Sequence, residues 1–141
     1  MKKSILIITL VAVLFVVAAC GSKSGSAVST GTPIKTVTVD KVTATLSNST
    51  GQLKQGEQEV TLAFTDASGK SIDVGAVSLN FHMPQMGSMA AMTDGVTFTT
   101  TDTPGVYRGK VNIEVAGEWQ AQLAYEGPAG KGKTTFSVTA R

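Results

Sequence analysis

The chain has one cysteine and one histidine in 141 residues, and its aromatics amount to one Trp, two Tyr and five Phe. A single Cys excludes an intrachain disulfide. A single His excludes zinc centres built on two or three imidazoles. Charge is also sparse, at 16% of residues with a formal net charge of +2, and no Lys/Arg cluster stands out. Nothing here suits a nucleic-acid surface. No Gly-x-Ser-x-Gly elbow occurs, and His82 is the sole imidazole base on offer. Glu57/Glu59 and Glu114/Glu118 fall at strand ends or solvent faces, so no acid/base pair is singled out. The chain is therefore expected not to be an enzyme. Thr (19 residues) and Gly (15) are plentiful instead, a bias towards short strands and turns.

The first segment differs from the rest. Met1-Lys2-Lys3-Ser4 leads into an apolar run from Ile5 to Val17, then Ala18-Ala19-Cys20. A charged start, a short apolar stretch and a small-residue exit make residues 1–19 a secretory signal peptide. Val17-Ala18-Ala19-Cys20 resembles the bacterial lipobox, which is cut just before its Cys and lipidated on it. Cys20 is thus the expected lipid anchor. Cleavage removes Lys2 and Lys3 and leaves 10 basic and 10 acidic side chains, so the mature chain is formally neutral.

Residues 20–33 then read as the lipidated Cys and a Gly/Ser/Thr tether, with a coil reach of about 20 Å. It would hold a domain just off a membrane. No Asp follows Cys20, which points to the outer membrane, facing the periplasm, in a diderm host. In a monoderm the anchor would sit on the outer face of the cell membrane.

From residue 34 to 141 the apolar spacing is mostly two, as in half-buried strands. Val37/Val39 and Val42/Ala44/Leu46 are out of phase, predicting a bulge or sheet switch near Asp40-Lys41. Val60/Leu62/Phe64, Ile72/Val74, Val77/Leu79/Phe81, Val96/Phe98, Val111/Ile113/Val115, Trp119–Tyr125 and Phe136–Ala140 continue the pattern. The expectation is all-β: an immunoglobulin-like β-sandwich of about seven antiparallel strands. Ser88–Thr93 would make one turn of helix at most.

One motif misleads. Gly127 to Thr134 is a literal G-x-x-x-x-G-K-T, the pattern of a phosphate-binding loop. Such a loop works because a helix follows it and aims backbone N–H groups at the phosphates. Here seven residues follow Thr134, and they alternate as a strand. A Gly-rich hairpin turn is expected, with no nucleotide.

The methionines are the distinctive feature. After Met1, all four others (Met83, Met86, Met89 and Met92) lie within ten consecutive residues, beside His82. Thioether sulfur is soft, neutral and polarisable, suited to Cu(I) and poorly suited to Mg, Ca or Zn. It binds without losing a proton. Pro84 would end a strand and Gly87 would let the chain turn back, so a loop could gather His82, Met83, Met86, Met89 and Met92 round one metal ion. Two other readings stand beside this: a buried Met stripe packing the sandwich end, and an apolar surface for a protein partner. Strand alternation turns His82 outward and puts Met83 in phase with Phe81, partly in the core.

Met83-Pro84-Gln85-Met86-Gly87, then Gly105-Val106-Tyr107 and Gly117-Glu118-Trp119, resembles the YtkA-like/FixH-like domain. That resemblance implies a small extracytoplasmic β-sandwich associated with copper handling, including supply to respiratory oxidases. It implies that Met83, Met86 and their neighbours line a copper site at one end. Many members carry a His shortly after the second Met. Here Ser88-Met89 stands there and the His precedes the motif, which tilts the expectation to Cu(I). The expected protein is a membrane-anchored Cu(I) chaperone or buffer that exchanges copper with a protein partner. The alternative is a non-metal envelope module whose Met-rich loop contacts such a partner.

Overall fold

The computed structural model describes residues 31–141, all strand, turn and loop. The expected signal peptide, Cys20 and most of the tether lie outside the described residues. Eight strands form: β1 (Thr32–Val39), β2 (Val42–Asn48), β3 (Gly56–Thr65), β4 (Ala76–Met83), β5 (Met92–Thr100), β6 (Val106–Ile113), β7 (Gly117–Gly127) and β8 (Gly130–Ala140). All named strand pairs are antiparallel, in the order β1-β2-β3-β6-β5-β4-β7-β8. The two ends of that order come together, since β1 touches β8. A parallel bridge between Leu53 and Ala140 adds to the closure, with Arg141 N–H donating to Leu53 O at 2.9 Å. The result is a β-sandwich with barrel-like continuity.

The alternation that marks the strands also builds the core. Leu79, Phe81 and Met83 of β4 face inward with Trp119, Ala121 and Leu123 of β7, all buried. From the other side come Leu46, Val60, Leu62, Phe64, Val111 and Ile113. With no disulfide between the sheets, aromatic edges fill the middle. Phe64 meets Tyr107 at 5.8 Å and Tyr125 at 5.5 Å between ring centroids, both edge-on.

Three local expectations change. The phase break at Asp40-Lys41 is a two-residue hairpin turn, with Val39 paired to Val42 and Asp40 at φ 54. Asp tolerates that left-handed conformation better than most side chains. The switch between sheets lies in β5 instead: Met92–Val96 pairs with β4, and Thr97–Thr100 with β6. Ile72 and Val74 are not a strand. Gly75 at φ 79 turns the chain, Asp73 Oδ1 accepts from Gly75 N–H at 2.8 Å, and Tyr107 O–H donates to Gly75 O at 2.9 Å. Those bonds hold the segment as a loop while Val74 stays buried.

The G-x-x-x-x-G-K-T segment is the β7–β8 hairpin, with Gly127 paired to Gly130. A strand, not a helix, follows it. β1 begins at Thr32, two residues before the expected start of the domain.

Candidate metal centre

The methionine segment is not a helical turn; β4 ends before Pro84 and the chain turns back at Gly87, as expected of a returning loop. It is the tip of the β4–β5 hairpin. Leu79 pairs with Val96, Phe81 with Asp94, His82 with Thr93 and Met83 with Met92. The same register reaches the end, where Met86 and Met89 form an isolated antiparallel bridge. Met89 N–H donates to Met86 O at 2.9 Å and Met86 N–H donates back to Met89 O at 3.2 Å. Gly87 at φ 56 takes the first central position of this two-residue turn, the place a type II′ turn reserves for glycine. Between the two bridged rungs Pro84 has no N–H to give, so the ladder is interrupted there.

This arrangement divides the five expected ligands. Met83 is 2% exposed, a core side chain. Its methyl lies against Gly117, where a Cβ would come within 3.1 Å. Met92, expected in a returning loop, opens β5 and packs half-buried on the core opposite Met83. Met86 and Met89 are 53% and 42% exposed, and among the described residues they are the large hydrophobics left open to solvent. His82 is on the other face of β4, half-buried, its Nδ1 3.1 Å from Thr93 Oγ1. The structure therefore makes two methionine pairs, one inside and one at the tip, about 10 Å apart along the hairpin. It does not draw all five side chains to one point.

The tip pair has the better geometry for an exchangeable ion. Residues that trade both backbone hydrogen bonds sit opposite each other, with Cα atoms about 5.5 Å apart. Both side chains leave the same face of the turn, and each thioether has three rotatable bonds with which to converge. No side chain from Met83 to Thr93 is ionisable, so a bound ion would meet neutral donors. Among the described residues no three His, Cys, Asp or Glu side chains come together as a metal site. Sulfur is the donor this region concentrates.

One residue escapes the sequence reading. Asp94 faces inward on β5, in phase with Met92, Val96 and Phe98. A charged residue at an apolar position of a strand is the signal that would have found it.

The remaining motif glycines and aromatics prove to be supports. Gly105, at φ 80, passes so close to Ile72 that a Cβ would strike its carbonyl oxygen at 2.0 Å. That approach sets Tyr107 to donate to Gly75 O. Trp119, fully buried, donates Nε1–H to Val115 O at 3.0 Å and so ties down the turn that holds Gly117 against Met83.

The family model described as YtkA-like matches residues 36–124. The chain belongs to the YtkA-like family. Neither a search of curated proteins nor one of solved structures finds a match. The matched span runs from β1 into β7 and contains both methionine pairs, the Gly105–Tyr107 and Gly117–Trp119 segments, and Asp94.

Proposed function

We propose that this YtkA-like protein is a membrane-tethered extracytoplasmic lipoprotein that binds Cu(I) and passes it on, as a chaperone or buffer and not as an enzyme. The observation that carries the reading is the opposed, exposed pair Met86 and Met89 on a neutral hairpin tip. Two thioethers form a low-coordination site of the kind Cu(I) accepts. Because both are open to solvent, a partner's donors can approach and replace them one at a time. His82 and Met92 are further donors on the same hairpin. Family membership supports the copper assignment, and the lipobox at Cys20 supports the anchor.

The test is a Cu(I) titration of the mature chain against a competing chelator, with Met86→Leu/Met89→Leu beside the wild type. Wild-type chain should hold an ion at the tip, and the double variant should bind one fewer. An unchanged number of bound Cu(I) ions in the variant removes the tip from the site. A chain silent to Cu(I) whose Met86 and Met89 methyls respond to a protein partner would establish the alternative, a gripping surface of exposed thioethers.

A further inference from the structure

Asp94 Oδ2 is buried and has no hydrogen-bond partner, the one side-chain oxygen or nitrogen in that condition among the described residues. A carboxylate oxygen withdrawn from water and left unpaired costs free energy, so something in the working protein is expected to compensate it. Its neighbours on the inward face are Phe81, directly opposite on β4, Met92 and Val96, two residues either way along β5, and Met83 and Leu79, diagonally across on β4. The positions two residues along and diagonally across are separated from it by about 7 Å at the backbone, within reach of long side chains.

β5 changes partner strand beside these groups. β5 pairs with β6 from Thr97 onward, with Thr97 opposite Lys110, and the pairing does not extend back over Met92–Val96. The two strands part beside Asp94, and both Met92 and Asp94 are only half-buried there.

We infer that Asp94 supplies the negative charge of an inner Cu(I) site formed with the thioethers of Met83 and Met92, behind the exposed pair at the tip. This rests on the copper reading above. Two thioethers are neutral and leave a bound Cu(I) with its full unit charge. A carboxylate beside them cancels that charge, and the attraction is stronger there than in open water. The hard oxygen is a poor match for the soft ion as a donor, so its role is charge compensation next to sulfur ligands. The tip pair lacks such a charge and would hold the ion more weakly. Capture would occur at the tip and storage at the inner site.

The experiment uses the full mature chain with its methionine methyls labelled for NMR, titrated with Cu(I) and, as an air-stable monovalent analogue, Ag(I). Wild type should show two events, one at Met86 and Met89 and one at Met83 and Met92. Asp94→Asn should weaken the inner event at least tenfold and leave the tip event unchanged. Met92→Leu, which keeps an apolar side chain against the core, should abolish the inner event alone. A metal-free Asp94→Asn chain should also unfold at higher denaturant than wild type, because an unpaired charge has gone, and added metal should reverse that order. Shifts at Met86 and Met89 with none at Met83 and Met92 would overturn the inner site and spare the copper reading. An inner event that Asp94→Asn leaves intact would overturn the role of Asp94. No shift at any methionine would overturn both readings.

Discussion

The methyl of Met83 is seated against Gly117, at a distance that leaves a Cβ there only 3.1 Å. Gly117 also has φ 143, a conformation that side-chain-bearing residues rarely adopt. The first and last parts of the family pattern thus meet in space, and the meeting is one of packing. Gly117→Ala should cost more than about 1 kcal/mol, through backbone strain and displacement of Met83. Met83→Ala should cost about 2–5 kcal/mol, whereas Met83→Leu should cost under about 1.5. Denaturant unfolding measures all three.

The tip pair should behave oppositely. Met86 and Met89 are exposed, so replacing both by Leu should change unfolding free energy by no more than about 0.5 kcal/mol each. The same protein should lose the Cu(I) ion held at the tip. The contrast between the two measurements separates a binding role from a structural one.

A thioether has no proton to lose on binding. Cu(I) affinity measured between pH 7 and pH 5 should therefore change less than about tenfold. A decline of several orders over that window would make His82 or a carboxylate, and not the thioethers, the dominant donor.

Tyr107 O–H donates to Gly75 O at 2.9 Å and to Asp73 Oδ1 at 3.2 Å. Tyr107→Phe should lose about 1 kcal/mol and loosen the loop round Val74, visible as faster amide exchange there. Burial above all, then the Asp73 carboxylate, raises the Tyr107 phenol above its ordinary 10.0. Burial first and Asp40 second do the same for Tyr125. The folded state therefore keeps protons that the unfolded state releases. This contribution is complete below pH 10.0 and is lost as pH rises through the folded values. Alkaline unfolding curves should show the decline, and Tyr107→Phe with Tyr125→Phe should flatten it.

Much of the fold is legible along the chain because an inward-facing strand repeats every two residues. Val60/Leu62/Phe64 and Trp119/Ala121/Leu123/Tyr125 announce β3 and β7 without ambiguity, and all seven are buried. Ile72/Val74 has the same spacing and is not a strand, since a loop pinned by Asp73 and Tyr107 can bury Val74 equally well. Asp40-Lys41 turns the chain back instead of bulging it, so the first expected stretch forms two strands, and eight form in all where about seven were expected.

For the site, composition and spacing alone determined that four thioethers would lie close together, that Pro84 and Gly87 would shape the segment, and that the donors are of the kind soft metals take. Tertiary structure decided how they are divided. The β4–β5 register sets Met83 against Met92 and Met86 against Met89, while His82 takes the opposite face from Met83 as strand alternation predicts. It also brings Met83 of β4 beside Met92 and Asp94 of β5, a grouping that needs the partner strand. Distance along a chain constrains proximity, but which face a side chain takes, and whether water reaches it, depends on the partner strand and on what covers the sheet.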